Sequence, residues 1–402
     1  MSQNYNKDSF DRFGDDLCQE LLSYMAFKDR FRWESVSKQW QRVVFKSQLA
    51  LNINRELIDD NFGQILNDVS FKVSEDNVHW ISHLMAKFAK QMTSISFDLK
   101  HNGMIDMRYE WLEMCVHLTT IHILFTDLSQ TRLAFSPGND LHYKRLTSIH
   151  LTFNESNDHL IDINLSEFDF FAHKYDHNIK TIGFTFYSLT GDYMVNRLTD
   201  SLSRMPALIA LKVKFNEFVD NLLPQIGHKC RQLKSLTVDT SHSMETFEAI
   251  NEYFKQLKRL EINVWDSRRL SAHSLNSLKR LTHLKLFFVD TSFTDSFFIN
   301  CHNKWPQLRY LRANRVVITD QLLNALSRLR HIRHMHLFGC PVPTPEAIQN
   351  VVINYPKIDC RLYSANDREE PQIEELFRKL MSGQSVPAKS SSHVKSNHSS
   401  KK

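Results

Sequence analysis

Glycine is scarce in this chain, with 9 in 402 residues, where ordinary usage would supply about 28. Neither G-x-G-x-x-G nor G-x-x-x-x-G-K-[ST] occurs, so the glycine-rich loops that cradle nucleotide phosphates have no support. The six cysteines, Cys18, Cys115, Cys230, Cys301, Cys340 and Cys360, form no Cys-x-x-Cys pair. That spacing argues against zinc-ribbon and dithiol chemistry, and reduced, buried thiols are the expectation. No apolar run approaches the ~20 residues of a membrane-spanning helix. Residues 1–12 are polar and charged, so no secretory leader is read there, and the chain is expected in the cytoplasm, the nucleus or both. A strong charge of one sign is missing too. Lys plus Arg number 50 against 45 Asp plus Glu, for a net charge of +5 and a pI near 8.7. That falls short of the basic footprint of a dedicated nucleic-acid binder. Neither nucleic acid nor membrane is an expected partner.

A repeat is plentiful where glycine is not. From Met92 onward the pattern apolar-x-x-apolar-x-apolar recurs, beginning at Met92, Leu118, Leu146, Ile179, Leu208, Leu233, Leu257, Leu281, Leu308 and Ile332. The starts lie 24 to 33 residues apart, about 27 on average. Leu233-Lys-Ser-Leu236-Thr-Val238 and Leu281-Thr-His-Leu284-Lys-Leu286 are typical. A weaker echo runs from Ile358 to Leu362, and residues 49–53 and 69–73 alternate well enough to be irregular opening strands. Alternation at the end of each motif predicts a short strand with one face buried. The segments between, such as 192–202 and 244–254, have a 3.6-residue period and predict helices. A strand and a helix in under 30 residues cannot bury an apolar side alone; stacked units can. The prediction is an α/β leucine-rich-repeat solenoid, a horseshoe with a parallel sheet on its concave side, over residues 49–365. The 28 phenylalanines suit its long, narrow core. A short helix is predicted over 366–382, and a disordered, Ser- and Lys-rich tail over 383–402.

Ahead of the repeats, residues 13–45 read as two or three short amphipathic helices. Asp15 or Asp16 is placed to cap a helix, since a carboxylate there accepts from unpaired amides. Leu17, Leu21, Leu22 and Met25 follow at spacings that predict one apolar face, and a second start is read at Asp29. Val36, Trp40, Val43 and Val44 form another stripe. Helices this short need a partner for their remaining apolar surface. That partner is the rest of the chain, as an N-terminal cap, or another protein.

The residues of this segment resemble the F-box. Leu17, Leu21-Leu22-Ser23-Tyr24-Met25, Phe27-Lys28-Asp29, Val36-Ser37-Lys38 and Trp40 stand where that family carries its typical residues. Phe13-Gly14 stands where the family commonly opens with Leu-Pro, and Ser37 where it often has Cys. The resemblance implies a small all-α domain over residues 10–48 that binds a Skp-type adaptor and, through it, a cullin-RING ligase. The residues it assigns to that contact are Phe13, Leu17, Leu21, Leu22, Met25, Phe27, Val36 and Trp40. His228-Lys-Cys230-Arg-Gln-Leu233 and Ile318-Thr-Asp-Gln-Leu-Leu323 resemble the cysteine-containing leucine-rich repeats often found behind F-boxes.

Catalytic constellations are weak by comparison. His331, His334 and His336 offer imidazoles, two of them sharing a strand face, but no Cys or acid stands beside them at ligand spacing. Cys301-His302 are neighbours in sequence, which rarely form a nucleophile–base pair. Asp15-Asp16 and Glu369-Glu370 read as helix starts. No metal, cofactor or catalytic centre is expected. The concave positions are more informative. In early repeats they are small or neutral, for example Ser96, Thr120, His122, His150, Gly183 and Thr185. In later repeats Lys212, Lys214, Arg259, Lys285, Tyr310, Arg312, His334 and His336 take their place, against Asp239 and Glu261. A basic, aromatic face of this kind suits an acidic or phosphorylated protein segment; a generic solvated sheet surface is the alternative. Together these expectations describe the non-catalytic substrate-recognition subunit of a cullin ubiquitin ligase. A leucine-rich-repeat scaffold outside any ligase is the other reading, and Phe13-Gly14 favours it.

Overall fold

The structure is a computed structural model. It describes residues 14–25, 29–30, 33, 36–47, 50–54, 85–86, 89–98, 112, 114–125, 145–153, 168–169, 172–173, 177–186, 192–215, 222–240, 244–264, 274–288, 295–339, 344–354 and 359–363. Phe13, Phe27, the strand expected near 69–73, the helix over 366–382 and the tail lie outside them. The chain divides into two compact units, Met1–Ser241 and His242–Lys402.

The first unit opens with helices α1 (Asp15–Ser23) and α2 (Lys38–Ser47). Among the described residues seven strands follow: β1 (Ala50–Asn54), β2 (Ser94–Asp98), β3 (Thr120–Phe125), β4 (Ser148–Phe153), β5 (Thr181–Phe186), β6 (Ala210–Phe215) and β7 (Ser235–Thr240). Helices α3 (Asp192–Ser203) and α4 (Leu222–Lys229) lie between β5 and β7 in the chain. From β1 to β7 each strand pairs in parallel with its successor in the unit. Parallel neighbours in strict sequence order need a return segment after every strand, which is the signature of a solenoid.

The second unit repeats the scheme. It holds α5 (Met244–Tyr253), β8 (Arg259–Val264), β9 (His283–Phe288), α6 (Cys301–Lys304), β10 (Tyr310–Val316), α7 (Asp320–Leu326), β11 (His334–Gly339), α8 (Pro345–Asn354) and β12 (Asp359–Tyr363). Strands β8 to β12 are again parallel and in order.

Strand burial follows the motif. The last two apolar positions of each repeat form inward columns across the strands, such as Leu260, Leu284, Leu311 and Met335, and Ile262, Leu286, Ala313 and Leu337, all buried. The first apolar residue of each motif is also buried, two residues ahead of its strand. Phenylalanine fills the remaining space. In the first unit Phe153 stacks on Phe186 with ring centroids 5.0 Å apart, and Phe168 meets Phe184 edge-on at 5.2 Å. In the second unit Phe297, Phe298 and Trp305 pack together, and Trp305 Nε1 donates to the Leu275 carbonyl at 3.2 Å.

Helix starts are tied from repeat to repeat. Thr319 caps α7 by accepting from the Leu322 amide at 3.1 Å. Asp320 then accepts from the Thr344 amide and hydroxyl at 2.9 and 2.8 Å, while Thr344 Oγ1 accepts from the Ala347 amide of α8 at 3.3 Å. One irregularity shapes the second unit's strands. Arg315 has φ of 55°, and the β10–β11 register slips between Asn314 and Val316. A β-bulge of this kind turns one extra side chain out of the ladder, and Arg315 is exposed. A Cβ on Gly339, opposite, would collide with the Val316 carbonyl.

Candidate functional site

The N-terminal helices divide their apolar residues between two faces. Helix α1 packs on α2, burying Cys18 and Leu22 on the first helix and Trp40, Val43 and Val44 on the second. The single apolar face expected for Leu17, Leu21, Leu22 and Met25 is corrected here. Leu22 turns inward, Met25 is half-buried, and Leu17 and Leu21 are 44% and 39% exposed. Tyr24 and Val36 are exposed as well, and so is Trp33. Leu17, Leu21 and Tyr24 follow at i, i+4 and i+7, so they share a stripe. Trp40, read as a contact residue, is instead part of the core behind that stripe.

The capping expectation is also corrected. Gly14 is the N-cap of α1 and makes no side-chain cap bond. Asp15 reaches across to α2 instead, accepting from Gln39 Nε2 at 2.9 Å and Arg42 at 2.6 Å. The hydrogen bonds from Arg42 and Gln39 hold its carboxyl below the ordinary carboxylate range. Ser37, where the F-box family often has Cys, does the capping for α2 by accepting from the Trp40 amide at 3.0 Å. The polar clasp and the cap fix the angle at which the exposed stripe is presented.

The outward face of the first unit's sheet is neutral over most of its length. Ser96, His122, His150, Gly183 and Lys212 form one outward column across β2 to β6. Ser96 Oγ lies 3.1 Å from His122 Nδ1, and His122 meets His150 edge-on at 4.5 Å. His150 Nε2 lies 3.3 Å from Thr185 Oγ1. A Cβ on Gly183 would overlap the His150 ring, so glycine there is what lets the imidazole lie across β5. Burial, then His122 and Lys212, push the His150 pKa down to about 4, which keeps this imidazole neutral at physiological pH. This packed histidine pair was not legible in the sequence, because it depends on inter-strand register. Lys212 and Lys214 are both exposed, and Lys214 pairs with Asp239 at 3.2 Å.

The second unit's outward face is richer. Its first row, from β8 to β12, reads Arg259, His283, Tyr310, His334 and Asp359; its second reads Glu261, Lys285, Arg312, His336 and Arg361; its third begins Asn263, Phe287, Asn314 and Phe338. Tyr310 lies between three imidazoles, with ring centroids 5.8 Å from His283, 6.1 Å from His334 and 5.7 Å from His336. Lys285 pairs with Glu261 at 3.1 Å. Asp359 Oδ2 is 3.3 Å from both His334 Nδ1 and His336 Nε2, and Oδ1 takes Arg361 at 3.2 Å. Partial burial pushes the Asp359 carboxyl upward, but its His334, His336 and Arg361 hydrogen bonds hold it below the ordinary value. His283 is held low by partial burial and then by electrostatic interactions with Arg259, Arg309, His334 and Lys285. The eight residues anticipated as a target surface therefore fall in two places, Lys212 and Lys214 on the first unit and the other six together on the second. Asp359 was missed because its strand was only a weak echo of the repeat.

Nucleophilic chemistry finds no foothold at Cys301. Burial pushes its thiol up to about 12, and Sγ donates to the Ala325 carbonyl at 3.1 Å. Cys115 and Cys230 are buried and raised to about 12 in the same way. Among the described residues no group of three His, Cys, Asp or Glu is placed to hold a metal ion, and no helix is long and apolar enough to cross a membrane.

No family model matches the chain, and no curated protein does. Solved structures similar to it include a chain of the yeast Rad7 and Elc1 complex, at 14% identity and a TM-score of 0.44, covering 86% of this chain and 85% of that one. An internalin from Listeria monocytogenes is similar at 13% identity and a TM-score of 0.35, with 81% and 93% covered. A chain of the mouse RP105/MD-1 complex is similar at 15% identity and a TM-score of 0.35, with 70% and 44% covered. Likenesses this distant carry no function across.

Proposed function

We propose that this chain is the substrate-recognition subunit of an SCF-type cullin ubiquitin ligase, working in the cytoplasm or nucleus. In this reading α1 and α2 are an F-box that binds a Skp-type adaptor, and the strand repeats hold a target protein. In this reading the chain needs no catalytic centre of its own. It acts by proximity, raising the effective concentration of the target beside a ubiquitin-charged enzyme.

The observation that carries the reading is the division of apolar residues on α1. Cys18 and Leu22 are buried against α2, yet Leu17, Leu21 and Tyr24 remain exposed along one stripe. An apolar stripe on a clasped, internally packed helix pair is suited to a second protein rather than to the pair's own core. The test is co-purification of the full chain with a Skp-type adaptor, alongside Leu17→Asp/Leu21→Asp. Capture by the wild type and its loss in the variant are expected. No capture by a folded wild-type chain would overturn the proposal.

A scaffold outside any ligase is the second reading. Gly14 as a bare N-cap, without the family's usual Leu-Pro opening, is the feature that favours it. That reading predicts the same target binding with no adaptor capture.

A further inference from the structure

The second unit's outward face holds a guanidinium flanked by two aromatic rings. The Arg312 guanidinium carbon lies 5.6 Å from the Phe287 ring centroid and 5.0 Å from that of Phe338. Register places those rings on β9 and β11, on either side of Asn314, so Arg312 is flanked by an aromatic from each neighbouring strand. Its Nε reaches Asn314 Oδ1 at 3.4 Å. Its terminal nitrogens make no hydrogen bond or ion pair among the described residues. Aromatic rings over a guanidinium leave its in-plane N–H groups for a forked acceptor.

The neighbours set the size of that acceptor. Lys285 and His336 are the register partners of Arg312, each about 4.8 Å away across the sheet. One strand further out in the same row stand Glu261 beyond Lys285 and Arg361 beyond His336; Glu261 is held by Lys285, and Asp359, in the adjoining row, by His334, His336 and Arg361. The row thus runs from an acid at β8 through Lys285 and Arg312 to His336 and Arg361, with Asp359 in the adjoining row beside its β12 end. A nucleic-acid strand, with a charge every ~3.4 Å, would bring phosphates against Glu261 and Asp359. A single anionic side chain would not.

The geometry points to Arg312, between Phe287 and Phe338, as the seat for one side-chain oxyanion, a carboxylate or a phosphate, on an extended segment of a partner protein. This inference rests on the reading of the strand face as the target-binding surface. Lys285 and His336 lie to either side of the seat, and the two rings offer apolar surface to the residues flanking the anion.

Arrays of decapeptides randomised at every position but the central one test it, with that position fixed as phosphoserine, glutamate or alanine. The labelled full chain is the probe. The wild type should be captured about tenfold more by one or both anionic arrays than by the alanine array. The stronger of the two names the source of the oxyanion. Arg312→Gln should abolish that preference, and Arg312→Lys should reduce it, since the charge remains but the planar fork is lost. Phe338→Leu should weaken it by freeing the guanidinium, and Lys255→Gln, in the exposed turn after α5, should leave it unchanged. Equal capture by all three arrays would overturn the inference, and so would an anionic preference that survives in a folded Arg312→Gln chain. Adaptor capture by the same preparations is expected to be unaffected. A failure here is therefore distinguishable from a failure of the ligase reading.

Discussion

Lys304 places an amine in the core of the second unit, and its cost can be measured. The side chain is only 4% exposed. Its Nζ donates to the Phe297 carbonyl at 2.5 Å and lies 5.2 and 5.6 Å from the Phe297 and Trp305 ring centroids. Burial lowers its pKa from 10.5 to about 8, with Cys301 opposing weakly. The folded pKa is thus below the unfolded one. Between about pH 8 and 10.5 the unfolded chain holds a proton that the folded chain has released, so stability rises with pH across that window. At about 1.36 kcal/mol per pH unit the full shift is worth ~3 kcal/mol, and residual solvent screening brings the expectation to about 1–3 kcal/mol. Lys304→Met keeps an unbranched, flexible chain of similar volume without the charge. Urea unfolding of both proteins at pH 7, 8.5 and 10 isolates the amine, because every other titrating group cancels in the difference. Relative to the variant, the wild type should gain stability as pH rises. A difference that stays constant from pH 7 to 10, or that moves the other way, would refute the burial argument and leave the carbonyl and ring contacts as full compensation for the charge.

Three further outcomes follow from the packing. Trp40→Ala should cost roughly 3–5 kcal/mol within the helix pair and abolish adaptor capture, while hydrogen exchange shows the strand repeats still protected; normal capture would refute the core assignment. Leu21→Glu, on the exposed stripe, should change stability by no more than about 0.5 kcal/mol yet weaken capture, and a variant that unfolds the pair would show that Leu21 is structural. Gly183→Ala should displace His150 and cost about 1–3 kcal/mol by overpacking, seen as a lowered melting temperature and a moved His150 imidazole resonance; an unchanged resonance would mean that the backbone yields instead.

The strands were readable because burial enforces their period. A slip of one residue would turn Leu284 and Leu286 to solvent and His283 and Lys285 into the core. The motif therefore fixes both register and facing, and each strand from β2 to β11 begins two residues after a motif start. What the sequence concealed arises between repeats. Nothing local ties Arg312 to Phe287 or Phe338, which come from other strands, or sets Gly183 beneath His150. The helix pair was half legible. Leu17, Leu21 and Leu22 announce a helix, but which of them turns inward depends on where α2 packs, and Asp15 was claimed by Arg42 and Gln39 rather than by the cap. Lys304 drew no attention, because a Lys amid polar residues gives no sign that its amine will be buried under Phe297 and Trp305.

The parallel register has a consequence for change over time. Residues 24 to 27 apart along the second unit, such as Lys285, Arg312 and His336, become next-door neighbours across the sheet. Each outward position is one tile, carried by its own repeat, touching its neighbours across the strands and backed by a column of inward residues. A single replacement therefore edits one tile of the face and leaves the inward leucines untouched. Such a surface can acquire a new partner tile by tile without ever passing through an unfolded intermediate.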